Sequence, residues 1–125
     1  MSNEITVQLN YTVNNPSSGG GYSRNVRPFS QFTQNVQGAN EEVVSVPTTA
    51  TTYTFANLAT YGWAYFQNLD TTNYVQLGLS VSATFTPFCK LKAGEFCLFR
   101  LEPGITFQMQ ANTAAVNVLY IVQND

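Results

Sequence analysis

Ile5, Val7, Leu9, Tyr11 and Val13 alternate with Thr6, Gln8, Asn10 and Thr12 near the start of the chain, the period-two pattern of a strand buried on one face. Alternation returns in residues 62–69 and 73–79. One face there carries Ala64, Phe66, Val75, Leu77 and Leu79, and the other Trp63, Tyr65, Gln67, Tyr74 and Gln76. Asp70-Thr71-Thr72-Asn73 is turn chemistry, so the two segments read as a hairpin with Leu69 opposite Tyr74. A second hairpin is predicted around "CKLKAGEFC", with a Lys92-Ala93-Gly94 loop and Gly94 at the left-handed position. That register sets Leu91 opposite Glu95, Phe88 opposite Leu98 and Cys89 opposite Cys97.

"EEVVSVP" adds a short strand, "TTATTYTFANL" an extended threonine-rich segment, and "GITFQMQA" a strand after the Glu102-Pro103-Gly104 turn. The closing "AAVNVLYIVQ" alternates Val116, Val118, Tyr120 and Val122 against Asn117, Leu119, Ile121 and Gln123. Strands spaced roughly eight to twelve residues apart, with Pro or Gly between many of them, predict an all-β protein. The expected fold is a single antiparallel β-sandwich over residues 1–125, jelly-roll-like, with a long loop or arm in its N-terminal half.

That arm is residues 15–37. "NNPSSGGGYS" is rich in turn formers, and Gly19 to Gly21 leave the backbone almost unrestrained. No Gly-Lys-Ser/Thr follows and no helical pattern is present, so the glycines read as a loop rather than a phosphate cradle. Phe29, Phe32 and Val36 follow at a spacing that suits a short helix, an irregular strand or an extended arm. The expected role is a long loop or arm ordered by a neighbouring subunit or the capsid, with Phe29 and Phe32 as anchors and Arg24 and Arg27 as ion-pair partners.

Composition narrows the function. Hydrophobic residues make up 44% of the 125, enough for the core of one domain. Charged residues are only 10%, against roughly 25% in an average soluble protein, so the surface is polar but uncharged. Five scattered basic residues and a net charge of -2 give no footprint for nucleic acid. No apolar run approaches the ~18 residues of a membrane helix, and "MSNEITVQLNYTV" lacks the pattern of a leader peptide. Folding in a cytoplasm is therefore expected, with Cys89 and Cys97 reduced.

Histidine is absent, which removes Ser-His-Asp and Cys-His mechanisms and most zinc or iron sites. Adjacent Glu41 and Glu42 point to opposite faces of a strand, while Glu95 and Glu102 lie at or near turns. A glycosidase pair is not evident. Asp70 with Thr71, Thr72 and Asn73 lacks the carboxylate spacing of a calcium loop. No catalytic residue, cofactor or metal is expected.

The face of Trp63, Tyr65, Gln67, Tyr74 and Gln76 has two readings. A one-residue slip of register would make Trp63 and Tyr65 core and leave Ala64 and Phe66 under a loop. Alternatively, the face is an interface, because interfaces are enriched in Tyr and Trp and depleted in Lys and Glu.

"YGWAYFQNLDTTNYVQLGL" and "TPFCKLKAGEFCLFRLEPGITFQMQANTAAVNVLYIVQND" resemble the C-terminal part of small virion proteins of tailed phages. In these, an aromatic "F-x-N-L-D" hairpin precedes a "K-L-K-A-G-E" turn, an "R-L-x-P-G" turn and an "A-N-T-A-A-V" strand. The matching stretches here are residues 66–70, 90–95, 100–104 and 111–116. The resemblance implies a non-enzymatic β-sandwich component of the particle, assembled in the host cytoplasm. It would be a capsid decoration or cement protein bound to the major capsid protein, and a homo-oligomer, with a trimer preferred. The alternative is a tail, neck or head-fibre module whose aromatic and amide side chains bind a carbohydrate or receptor.

Overall fold

The computed structural model describes residues 4–16 and 19–125, which fall into two compact units divided after Asn35. Among the described residues there are twelve β-strands and no helix.

The first unit contains β1 (Ile5–Gln8), β2 (Tyr11–Asn15), β3 (Tyr22–Val26) and β4 (Phe29–Phe32). β1 pairs antiparallel with β4, and β2 with β3. Ile5 opposes Phe32 and Tyr11 opposes Val26, so a single register runs the whole length, with Leu9 N–H bonded to the Pro28 carbonyl at the join. The unit is therefore one long two-stranded ribbon. Residues directly opposite share a face. Ile5, Val7, Leu9, Tyr11 and Val13 thus lie with Phe32, Val26 and Tyr22 on one side, and Thr6, Gln8, Thr12 and Asn25 on the other. No described residue of this ribbon is buried.

The irregular arm expected over residues 15–37 instead supplies the second strand of this ribbon. Phe29 opposes Gln8 and Phe32 opposes Ile5, so the two expected anchors point to opposite faces, as residues three apart in a strand must. Their spacing looked non-strand because its partner lies more than twenty residues earlier.

The second unit is the sandwich: β5 (Ala39–Val46), β6 (Thr51–Thr52), β7 (Tyr61–Asn68), β8 (Val75–Val81), β9 (Thr84–Leu91), β10 (Phe96–Arg100), β11 (Phe107–Ala111) and β12 (Val116–Asn124). One sheet has the order β10-β7-β12-β5 and the other β6-β11-β8-β9, all antiparallel. The first of the eight strands pairs with the last, the second with the seventh, the third with the sixth and the fourth with the fifth. A long hairpin wound over two sheets in this way is a jelly roll. The single sandwich expected over the whole chain is thus built by residues 36–125.

Winding corrects both predicted hairpins. β7 and β8 lie in different sheets, so Leu69 does not oppose Tyr74, and 69–74 is a corner that carries the chain from sheet to sheet. β9 and β10 are likewise split. The Lys92-Ala93-Gly94 turn does form, with Gly94 at φ 79° and Glu95 N–H bonded to the Lys92 carbonyl, but the strands on either side diverge. Cys89 opposes Leu77 in one sheet and Cys97 opposes Phe66 in the other. The two thiols still meet, across the interior rather than along a ladder.

The only local hairpin in the wound unit is β8–β9, turned by Ser82 and Ala83, both at positive φ (50° and 64°). Two left-handed residues are what a tight two-residue hairpin needs, and Asn-Gly usually supplies them. Ala there carries a left-handed penalty of roughly 1 kcal/mol. Ala83→Gly is therefore expected to raise the unfolding free energy read from a urea melt by up to about that amount.

Core side chains come from the inner faces. Phe66 stacks on Phe107 (5.1 Å) and Phe99 (5.8 Å), and Phe55 meets Tyr120 edge-on at 5.1 Å. Val46, Val75, Leu77, Met109, Val116, Val118 and Val122 complete the packed layer. In β7, Ala64 and Phe66 are buried and Trp63 and Tyr65 half-buried, so the reading with Ala64 and Phe66 as core holds.

Both cysteines are free and half-buried at the margin of this core. Burial pushes the Cys97 thiol up to about 12, and also raises Cys89. Since the thiolate is the nucleophile, iodoacetamide at pH 8 should leave both unmodified in the folded protein and label both in urea. Replacing both by Ala should cost about 2 kcal/mol of packing.

Candidate interaction surfaces

Two packed sheets leave two outer faces that point in opposite directions, and their chemistry differs. On the β10-β7-β12-β5 sheet, outward residues form rows across all four strands. Phe96, Gln67, Leu119 and Val43 make one row, and Leu98, Tyr65, Ile121 and Glu41 the next. Arg100 and Trp63 begin a third. The Tyr65 hydroxyl donates to Gln67 Oε1 (2.8 Å), and the Tyr65 and Phe96 rings lie 6.1 Å apart, fixing these side chains on one side. Phe96 is 61% exposed, Val43 54% and Leu98 45%.

This surface is apolar at its centre and nearly free of charge. Arg100 lies over the Trp63 ring at 5.5 Å and donates to Asp125 Oδ1 at 2.7 Å. Glu41 is left as the uncompensated charge of these rows.

The β6-β11-β8-β9 sheet presents amides and hydroxyls instead. Gln110, Gln76 and Lys90 form a row, and Gln108 Nε2 donates to the Thr52 hydroxyl (3.1 Å). Lys90 Nζ lies 4.3 Å above the Tyr74 ring. This places Tyr74 and Gln76 on the polar outer face, away from Trp63, Tyr65 and Gln67. The five residues expected to share one face therefore divide three and two between opposite sides, because the corner at residues 69–74 sends the chain to the other sheet.

The remaining candidates lie on the ribbon. Arg24 opposes Val13 on its apolar face. Arg27 lies at the join on the other face, with Nε donating to Asn25 Oδ1 at 3.2 Å. Sequence reasoning missed Phe96, Leu98, Leu119, Ile121 and Val43. A signal existed in β12, whose two alternating faces are both apolar over residues 118–122, the mark of a strand covered on both sides.

The carboxylates have structural partners or stand apart. Asp70 Oδ2 accepts from the N–H groups of Asn73 (2.6 Å) and Thr72 (3.0 Å), which hold its carboxyl below the usual range. Glu95 Oε2 accepts from Lys92 N–H, Glu4 Oε2 from Gln34 N–H, and Glu42 Oε2 from the Tyr120 hydroxyl. Among the described residues no group of three or more acidic or sulfur ligands gathers. A groove lined by Leu58, Ala59, Tyr61, Pro103, Gly104 and Ile105 is bordered by no carboxylate or cation.

No protein-family model, no curated protein and no solved structure matches this chain.

Proposed function

We propose that this protein is a non-enzymatic structural subunit of a phage particle, most simply a decoration or cement protein that binds the assembled head through protein–protein contacts. The observation that carries the reading is the apolar outer face of the β10-β7-β12-β5 sheet on a chain with so little charge. Exposed aromatic and aliphatic side chains gathered on one face with little charge are the composition of an interface core. The jelly-roll body supports it too, as a rigid platform that leaves two large faces for contacts, and so does the resemblance of residues 60–125 to small virion proteins.

Cementing would act by mass action. A protein that binds the assembled shell better than separate capsomers stabilises the shell by the difference in affinity. The purified protein is expected to pellet with phage heads in a saturable way and to raise their disruption temperature. Binding to neither heads nor tails would overturn the reading. Binding on a glycan array without binding to heads would move the protein to the receptor-binding alternative. That alternative is narrowed by the split of Trp63, Tyr65 and Gln67 from Tyr74 and Gln76, which leaves no five-residue sugar platform.

A further inference from the structure

The ribbon of residues 4–35 lacks a core. A two-stranded hairpin alone is marginal in water and needs a further strand or a packing partner. Yet this one is amphipathic, its second face being polar except for Phe29. Ile5, Val7, Val13, Val26 and Phe32 are only half-buried, while Tyr11 and Tyr22 on the same face are 52% and 59% exposed. One side of the ribbon is built to be covered.

We propose that the ribbon of one copy lays this apolar face on the outer face of the β10-β7-β12-β5 sheet of a second copy. Dimensions agree. Eleven residues of ribbon reach about 36 Å, against about 30 Å for the longest strand of the sheet, and two strands span about half the width of four. Charge agrees as well. The ribbon carries Arg24 and Arg27 against Glu4, a net +1, while the sandwich carries Lys90, Lys92 and Arg100 against Glu41, Glu42, Asp70, Glu95, Glu102 and Asp125, a net -3. Arg24, the charge on the ribbon's apolar face, has the opposite sign to Glu41, the uncompensated charge of the sheet. A ribbon and a sheet face are different patches, so the contact is heterologous and closes as a ring when each copy gives one ribbon and receives one.

This inference rests on the reading of the protein as a packed particle subunit and names the partner of its apolar face. The test uses the 125-residue protein with Tyr11→Asp, which spoils the ribbon, and Leu98→Asp, which spoils the sheet face. Both sites are exposed, so far-UV circular dichroism should be unchanged; if either variant unfolds, Tyr22→Asp and Phe96→Asp replace them. In sedimentation, wild type is expected as an oligomer and each variant as a monomer. An equimolar mixture of the two should regain association, because one intact ribbon meets one intact face.

A monomeric wild type overturns the inference, as does a mixture that stays monomeric or an oligomer lost only with Leu98→Asp, which would mean that sheet faces pair with each other. Binding to phage heads is scored separately on wild type. Heads bound without self-association would sink ribbon exchange alone. Self-association and complementation without any binding to heads or tails would sink the proposed function alone.

Discussion

Gly78→Ala is expected to lower the melting temperature by on the order of 15 °C, the loss of about 3 kcal/mol that overpacking at a rigid site produces. Gly78 lies in β8 where the β8–β9 register shifts: Leu77 opposes Cys89, but Gly78 opposes Pro87, leaving Phe88 as the extra residue of a bulge. The bulge frees Phe88 to pack edge-on against Phe99 at 5.6 Å, joining the margins of the two sheets. It also drives β9 onto the Gly78 backbone. A methyl group there would meet the Thr86 carbonyl oxygen, the Pro87 Cα at 2.7 Å and the Phe85 ring at 2.7 Å. Two of these are backbone atoms of a paired strand and cannot swing aside.

Gly94→Ala is the control. Nothing lies within 4 Å of a methyl group there, but φ is 79°, so only the left-handed strain applies, about 1 kcal/mol. Thermal melts of both variants check the ranking. Equal losses would mean that the bulge opens freely and that Gly78 is not held by space.

What a sequence says about a jelly roll is uneven. Side-chain period identifies strands and sorts their side chains into two faces, so Ala64 and Phe66 separate from Trp63 and Tyr65 in the sequence, but which pair is core depends on the register of the sheet. Turn residues report that the chain reverses but not which sheet it enters. Asp70 to Asn73 and Lys92 to Gly94 have the chemistry of hairpin loops, yet both serve corners, because β7 and β10 pair with each other and so do β8 and β9. The real hairpin at Ser82-Ala83 was hidden by residues that tolerate positive φ poorly. Phe29 and Phe32 looked like joint anchors until a partner strand beginning at Ile5 put them on opposite sides. The apolar outer face was the least legible, since Phe96 and Leu98 become neighbours of Leu119, Ile121 and Val43 only through pairings between distant segments.

Asn68→Leu is expected to cost roughly 4 kcal/mol, because one buried and two part-buried hydrogen-bonding groups would lose their partner at about 1–3 kcal/mol each, softened where water reaches them. Asn68 is fully buried at the end of β7, where the chain leaves its sheet. Its Nδ2 donates to the carbonyls of Asn73 and Leu91, both at 2.9 Å, and its Oδ1 accepts from Asp70 N–H at 2.8 Å. Its backbone also bonds to Glu95 and Gly94. One side chain thus ties both sheet-to-sheet crossings at that end of the sandwich, the 69–74 corner and the 91–95 turn. Asn68→Asp separates this role from simple packing. It keeps the shape but aims an acceptor at two carbonyls, so the folded state favours the protonated acid and the carboxyl is raised above the usual aspartate range. Its folded stability is then greatest below that range and falls as pH rises through the raised value. Urea melts should therefore show Asn68→Asp recovering toward wild type in acid, while Asn68→Leu shows no such recovery. A pH-independent deficit in both variants would reduce Asn68 to a space-filler and leave the two crossings held by their backbone bonds alone.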